Sequence, residues 1–196
     1  MPLFSRRPAE PAPLPYDPRS PEGLAARWVQ WAAAASPLKN PIADTTGADA
    51  GHNQPDDVWF LAGSYGEAVE RQCTVPAGRP LFVPVFNIWF SHAAGPPEPA
   101  ERAVGSLQID GSGVEPDVIA TPVPFTVAGA RLNGVTRTRK PVPLTVWGLW
   151  KHLSAPPPGQ HELRIRGGDG YGFALDVTYR LTVASTEPVG DLTAPR

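Results

Sequence analysis

The sequence predicts a mainly β chain: an antiparallel β-sandwich, of jelly-roll or immunoglobulin-like type, with one N-terminal amphipathic helix. Three observations carry this expectation. Apolar residues fall in strand-length runs, the densest lying between Val58 and Phe90. The 26 prolines and 19 glycines show no period and mark many turns. Only one stretch, 21–35, has a helical period, so a parallel sheet lacks the crossover helices it needs.

In chain order, residues 1–19 carry six prolines and read as a disordered arm, open also to a role as a docking ligand for a proline-binding domain. The folded domain is expected over 20–184, with a flexible tail over 185–196. Ser20-Pro21-Glu22 offers an N-cap, a proline at the first helical position and an acid in the first turn. The helix should run to Ala35, stop at Ser36-Pro37 and dock through Leu24, Trp28 and Trp31, although two tryptophans one turn apart also suit a ligand platform. Residues 40–57 form a polar loop whose Asp44, Asp49, Asp56 and Asp57 serve as turn formers or as oxygen ligands, in a spacing that fits no calcium loop.

Val58–Gly63, Val69–Val75 and Pro80–Phe90 should form the centre of the core, and Pro76-Ala77-Gly78 predicts a hairpin pairing Arg71–Val75 with Leu81–Val85. Gly105–Asp110 reads as a strand ending in an Asp110-Gly111 turn. Asn133-Gly134 signals another hairpin, around which Arg131, Arg137, Arg139 and Lys140 gather as a solvated face or an anion clamp. Leu144–Lys151, His161–Arg166 and Phe173–Val183 complete the strands, the last two with clean alternation.

The totals exclude several classes. A formal net charge of −2 gives no electrostatic footprint for nucleic acid or an acidic membrane surface. No apolar run reaches the roughly 20 residues of a membrane-spanning helix, and the N-terminus lacks the apolar core of a secretory signal. Cys73, the only cysteine, precludes an intrachain disulfide. A cytoplasmic protein is the plain expectation. No cofactor is implied: glycine-rich phosphate loops and nucleophile elbows are missing, and His52, His92, His152 and His161 show no metal-ligand spacing, so no metal is expected.

Several segments together, WVQWAAAASPLKNPIADTTGA, VWFLAG, RQCTVPAGRPLFVPVFN, PPPGQHELRI and FALDVTYRLTV, resemble in the same order a family of bacterial, mostly exported, β-rich proteins with no established activity. The resemblance spans about Ala26 to Val183 and implies a β-sandwich. Such proteins typically carry a cysteine after the DTTG segment, where this chain has Ala50, and a second at the position of Cys73. The missing cysteine suggests a member that works in a reducing compartment.

Function must come from polar residues set among apolar strands. Arg71 interrupts an inward face and requires an acid such as Asp44 or Asp57, or an edge position. Asn87 and His92 follow the densest apolar run, and Lys151-His152 follows Trp150. Two readings emerge. One is a module binding a small molecule, glycan or protein partner through Asp44, Trp59, Arg71, Asn87, His92 and Trp150 at one end of the sheets. The other is a metal-independent enzyme using His92 or His152 as acid/base beside Asp44 and Arg71.

Overall fold

A computed structural model describes residues 12–185, so the expectations for 1–11 and 186–196 lie outside it. The chain forms helix α1 (Pro21–Ala34), then β1 (Trp59–Phe60), β2 (Ala68–Val75), β3 (Leu81–Ser91), β4 (Val104–Ile109), β5 (Ser112–Val114), β6 (Asp117–Ala120), β7 (Phe125–Val127), β8 (Val142–Leu153), β9 (Gly159–Gly168) and β10 (Ala174–Val183). One sheet has the order β1-β3-β8-β6, with β7 also on β8; the other has the order β2-β10-β9-β4-β5. The protein is a β-sandwich with a single α-helix. Leu81, Val83 and Val85 meet Leu163, Ile165, Val177 and Leu181 between the sheets. A second core, containing Phe60, Phe82, Val146 and Trp150, lies under α1 on the other face of the first sheet.

The helix begins as its sequence dictates: Ser20 Oγ accepts a hydrogen bond from Gly23 N at 3.1 Å, with Pro21 in the first turn. Alanines at 25, 26, 32 and 33 bring its backbone close to the sheet. Residues 12–18 are not the free arm expected. Leu14 and Tyr16 pack on the core, the Tyr16 hydroxyl bonds Val123, and Gln30 Nε2 donates to Ala12 O.

Both expected hairpins are corrected. The ladder position beside Leu81 and Phe82 is taken by Trp59 and Phe60 of β1, in parallel. Strand β2 instead pairs in parallel with β10 in the opposite sheet, from Ala68↔Asp176 to Val75↔Val183. Pro76-Ala77-Gly78 reverses the chain between layers, because a turn sets direction and not the partner. The second hairpin is replaced by a helix stop. Asn133 is buried, donates from Nδ2 to Ala32 O and Ala35 O at 2.8 Å each, and accepts from Val135 N through Oδ1. Those two carbonyls have no partner within the helix, and Ala130 N satisfies a third, Ala33 O. Asn133→Ala should therefore cost about 1–3 kcal/mol by leaving buried carbonyls unpaired; a urea midpoint unchanged from wild type would refute that role. Arg131, Arg137, Arg139 and Lys140 are all exposed on this loop.

The 40–57 loop covers an edge. Gln72 N of β2 donates to Thr46 O at 2.8 Å. Gly47 (φ +90°) is needed there, since a Cβ at that position would lie 2.3 Å from Gln72 O. Asp110 and Gly111 both have positive φ, 50° and 78°, making the tight β4–β5 hairpin turn as expected.

Candidate functional site

The structure separates most of the residues expected to form a site. Arg71 is 1% exposed and faces no carboxylate. Its Nε donates to Asp44 O at 2.6 Å. Its Nη1 donates to Ala62 O, Gly63 O and the Tyr179 hydroxyl, and its Nη2 to Ile42 O. Strand β2 is an edge strand, but the side chain turns inward and a cage of carbonyl oxygens takes the place of the acid. Asp57 pairs instead with Arg27, which holds its carboxyl below the ordinary value.

Asp44 touches Arg71 only through its backbone. Burial works to raise its carboxyl, but hydrogen bonds from Asp49 N, Thr46 N and the Thr46 hydroxyl prevail and hold it low. Its oxygens fold its own loop. His152 pairs in register with Phe82 at one end of the β3–β8 ladder, whereas His92 follows Ser91, paired with Leu144 at the other. At about 3.3 Å per residue the two ends are roughly 30 Å apart. Both histidines are exposed, and neither hydrogen-bonds Asp44 or Arg71. The proposed acid/base set is not assembled.

Trp59 and Trp150 cannot wall one pocket, because Trp59 belongs to the core between the sheets and Trp150 to the core beneath α1. His161 is a satisfied structural histidine: Nδ1 meets Asp110 Oδ2 at 2.7 Å and Nε2 meets Pro157 O at 2.8 Å, and the Asp110 contact raises its pKa. Cys73 is half-buried, and loss of solvent pushes its thiol to about 12, too high for a nucleophile.

Asn87 alone among the expected residues lines a cleft of about 310 Å³ beside β3. The cleft exists because β1 is two residues long. Beyond Phe82 nothing among the described residues pairs with that side of β3, and Pro84, which has no N–H to offer, sits where the cover ends. Gly63, Ser64 and Tyr65 form the facing wall, Trp28 and Ile42 contribute from the helix side, and Phe173 closes the end toward the second sheet. A β-bulge between Pro84 and Phe86 resets the register so that Phe86 faces the ring of Phe173, 6.1 Å away. Asp169 Oδ1 holds the turn bearing Phe173 by accepting from Tyr171 N and Phe173 N.

Two polar atoms beside this cleft have no partner among the described residues, Asn87 Oδ1 and Trp150 Nε1. They flank Gly148, where a Cβ would lie 2.6 Å from Trp150 Nε1 and 2.9 Å from Asn87 Cβ. Tyr65, Ile88 and Phe173 are large side chains exposed to 43%, 39% and 36%, and all three line the cleft. Sequence reasoning missed Tyr65 and Phe173, which stand in the glycine-flanked turns Gly63–Gly66 and Gly170–Phe173. An aromatic residue in a glycine-rich turn was the available signal.

A larger cavity of about 710 Å³ lies between residues 12–18, α1 and the 53–55 segment. Most of its polar side chains are engaged: Gln54 bonds the backbone of Ala50 and Phe60, Gln30 Nε2 bonds Ala12 O and Thr126 O, and Arg27 bonds Asp57, whereas the exposed Asn53 makes no side-chain hydrogen bond among the described residues. His152 borders a third, polar recess of about 380 Å³ with Arg19, Glu22 and Asp117. Of these three cavities, and among the described residues, only the cleft beside β3 is lined by a residue with an unpartnered buried acceptor, Asn87.

The chain matches no family model, no curated protein and no solved structure. Among the described residues no group of three or more His, Cys, Asp or Glu is placed to hold a metal ion. No described helix is long and apolar enough to cross a membrane.

Proposed function

We propose that the protein is a non-catalytic binding module whose ligand lies in the cleft beside β3. The observation that carries this reading is Asn87 Oδ1, a buried acceptor without a partner in the wall of an aromatic cleft. An unmet buried polar atom costs about 1–3 kcal/mol, a penalty that a ligand donor removes. Few polar groups in an apolar wall fix a ligand's orientation while its apolar body supplies affinity.

The two roles of Asn87, in binding and in folding, predict different things. Asn87→Ala should be neutral or stabilising, shifting unfolding by less than about 1 kcal/mol, because no protein hydrogen bond is lost. The same change should abolish the thermal shift produced by a ligand. A panel of aromatic amides, indoles, phenols and oligosaccharides, screened against wild type, Asn87→Ala and Tyr65→Ala, provides the test. Ligand shifts that survive both substitutions would place binding elsewhere and overturn the reading.

A further inference from the structure

We propose, building on the reading that the cleft is the binding site, that its occupant is an extended segment of a partner protein, apolar and aromatic with one basic residue, which adds to β3 as a strand. Hydrogen-bond direction determines which residues of β3 face the open side. In β8, Val146 turns its carbonyl away from β3, toward Thr121. Its neighbours Thr145, Trp147 and Leu149 therefore bond β3, through their register partners Phe90, Ile88 and Phe86. The alternate residues of β3, Asn87 and Trp89, present N–H and C=O to the uncovered side. Two residues an i, i+2 step apart, about 6.6 Å, match the repeat of a peptide backbone. That pattern is the chemistry of strand addition, and sugars or small aromatic molecules do not reproduce it.

The side chains support the same occupant. An added strand alternates its side chains across the sheet, setting one row beside Asn87 and Trp89 and the other beside Ile88 and Phe173. It would cover the exposed rings of Tyr65 and Phe173 together with Ile88. Val85 to Ser91 contains no charged residue, so this edge lacks the lysines that commonly blunt one. Among the described residues that line the cleft the only charged side chain is Asp169, which calls for a basic residue in the segment. A second copy of the chain fits poorly: the Gly63–Tyr65 wall stands opposite β3, and two-fold edge pairing would drive two such walls into one gap.

The test uses the full chain and a library of acetylated, amidated heptapeptides that alternate Val, Phe and Tyr and carry one Lys. Affinities are read by fluorescence polarisation, and the best binder is remade with N-methyl groups on each alternate set of residues. One N-methylated set should weaken binding at least about tenfold, equivalent to about 1.4 kcal/mol, while the other leaves it unchanged. Asp169→Asn should weaken the Lys peptide several-fold and reduce its salt dependence. Equal affinity for both N-methylated sets would overturn strand addition, as would a failure of all peptides while indoles or amides still bind in a manner lost in Asn87→Ala; the cleft itself would then stand. Absence of binding by any probe removes both readings. Light scattering that shows a dimer broken by Ile88→Lys would give the edge to a second copy and overturn the proposal.

Discussion

Arg71→Met is expected to destabilise the protein by about 3–5 kcal/mol, because it leaves several buried carbonyl oxygens without a donor at about 1–3 kcal/mol each, offset in part by no longer burying a charge. A domain of this kind is usually stable by about 5–15 kcal/mol, so the loss is a large fraction of the total. Four carbonyl oxygens, from Ile42, Asp44, Ala62 and Gly63, converge on one guanidinium, and without it those of Ile42, Asp44 and Gly63 lose their donor while Ala62 O keeps only the Tyr179 hydroxyl. Tyr179 is drawn in as well. Its hydroxyl accepts from Arg71 Nη1 at 2.8 Å and donates to Ala62 O at 3.0 Å, and its ring lies 5.5 Å from the guanidinium carbon. Burial pushes the Tyr179 phenol up while the Arg71 charge opposes it. Arg71 thus fastens the 40–57 loop, the segment after β1, β2 and β10 to one another. Arg71→Lys should recover only part of the loss, since an ammonium has three donors at a point and cannot span acceptors arranged around a planar fork. Chemical denaturation measures both variants; a loss under about 1 kcal/mol for Arg71→Met would show that the carbonyls find other donors.

Alanine at Trp28 or Trp150 should each cost roughly 3–5 kcal/mol, because both rings are nearly fully buried and truncation opens a cavity. Phenylalanine separates them. Trp28 Nε1 donates to Leu61 O at 2.7 Å, whereas Trp150 Nε1 has no partner among the described residues. Trp28→Phe therefore loses volume and a buried hydrogen bond, while Trp150→Phe loses volume and also removes an unmet donor. Trp150 keeps its stacking on Phe82, with centroids 5.2 Å apart and rings 17° from parallel, and a phenyl ring can retain much of it. The two Phe variants should differ by about 1–2 kcal/mol, with Trp28→Phe the less stable. Equal losses would mean that the Trp28 hydrogen bond contributes nothing net.

The two polar anomalies within apolar strands, Arg71 and Asn87, were both visible in the sequence, and the structure gives them opposite meanings. Arg71 finds its acceptors in backbone oxygens of segments 27 and 9 residues away in sequence and in the Tyr179 hydroxyl. Asn87 Oδ1 has no partner among the described residues, beside a stretch of β3 that the neighbouring strand, ending at the register of Phe82, does not cover. Nothing in the composition of either strand distinguishes these outcomes. The same holds for Asp44, His92 and Trp59: residue type suggested chemistry, but position distributed them among a loop, an exposed turn and a core.

By itself the sequence determined what short-range physics controls. Ser20 and Pro21 start the helix, Ser36-Pro37 stops it, Asp110-Gly111 turns a hairpin, and the alternation through β9 and β10 assigns faces, so a sandwich with one helix was legible. Alternation states which face of a strand is buried but not which strand lies beside it. Tertiary structure alone decided that β1 and β2 pair in parallel with β3 and β10, that Asn133 caps a helix about 100 residues away, and that β1 covers only the first turn of the β3 ladder. Each of these depends on backbone groups brought together from distant parts of the chain, and every backbone carries the same donors and acceptors whatever its side chains.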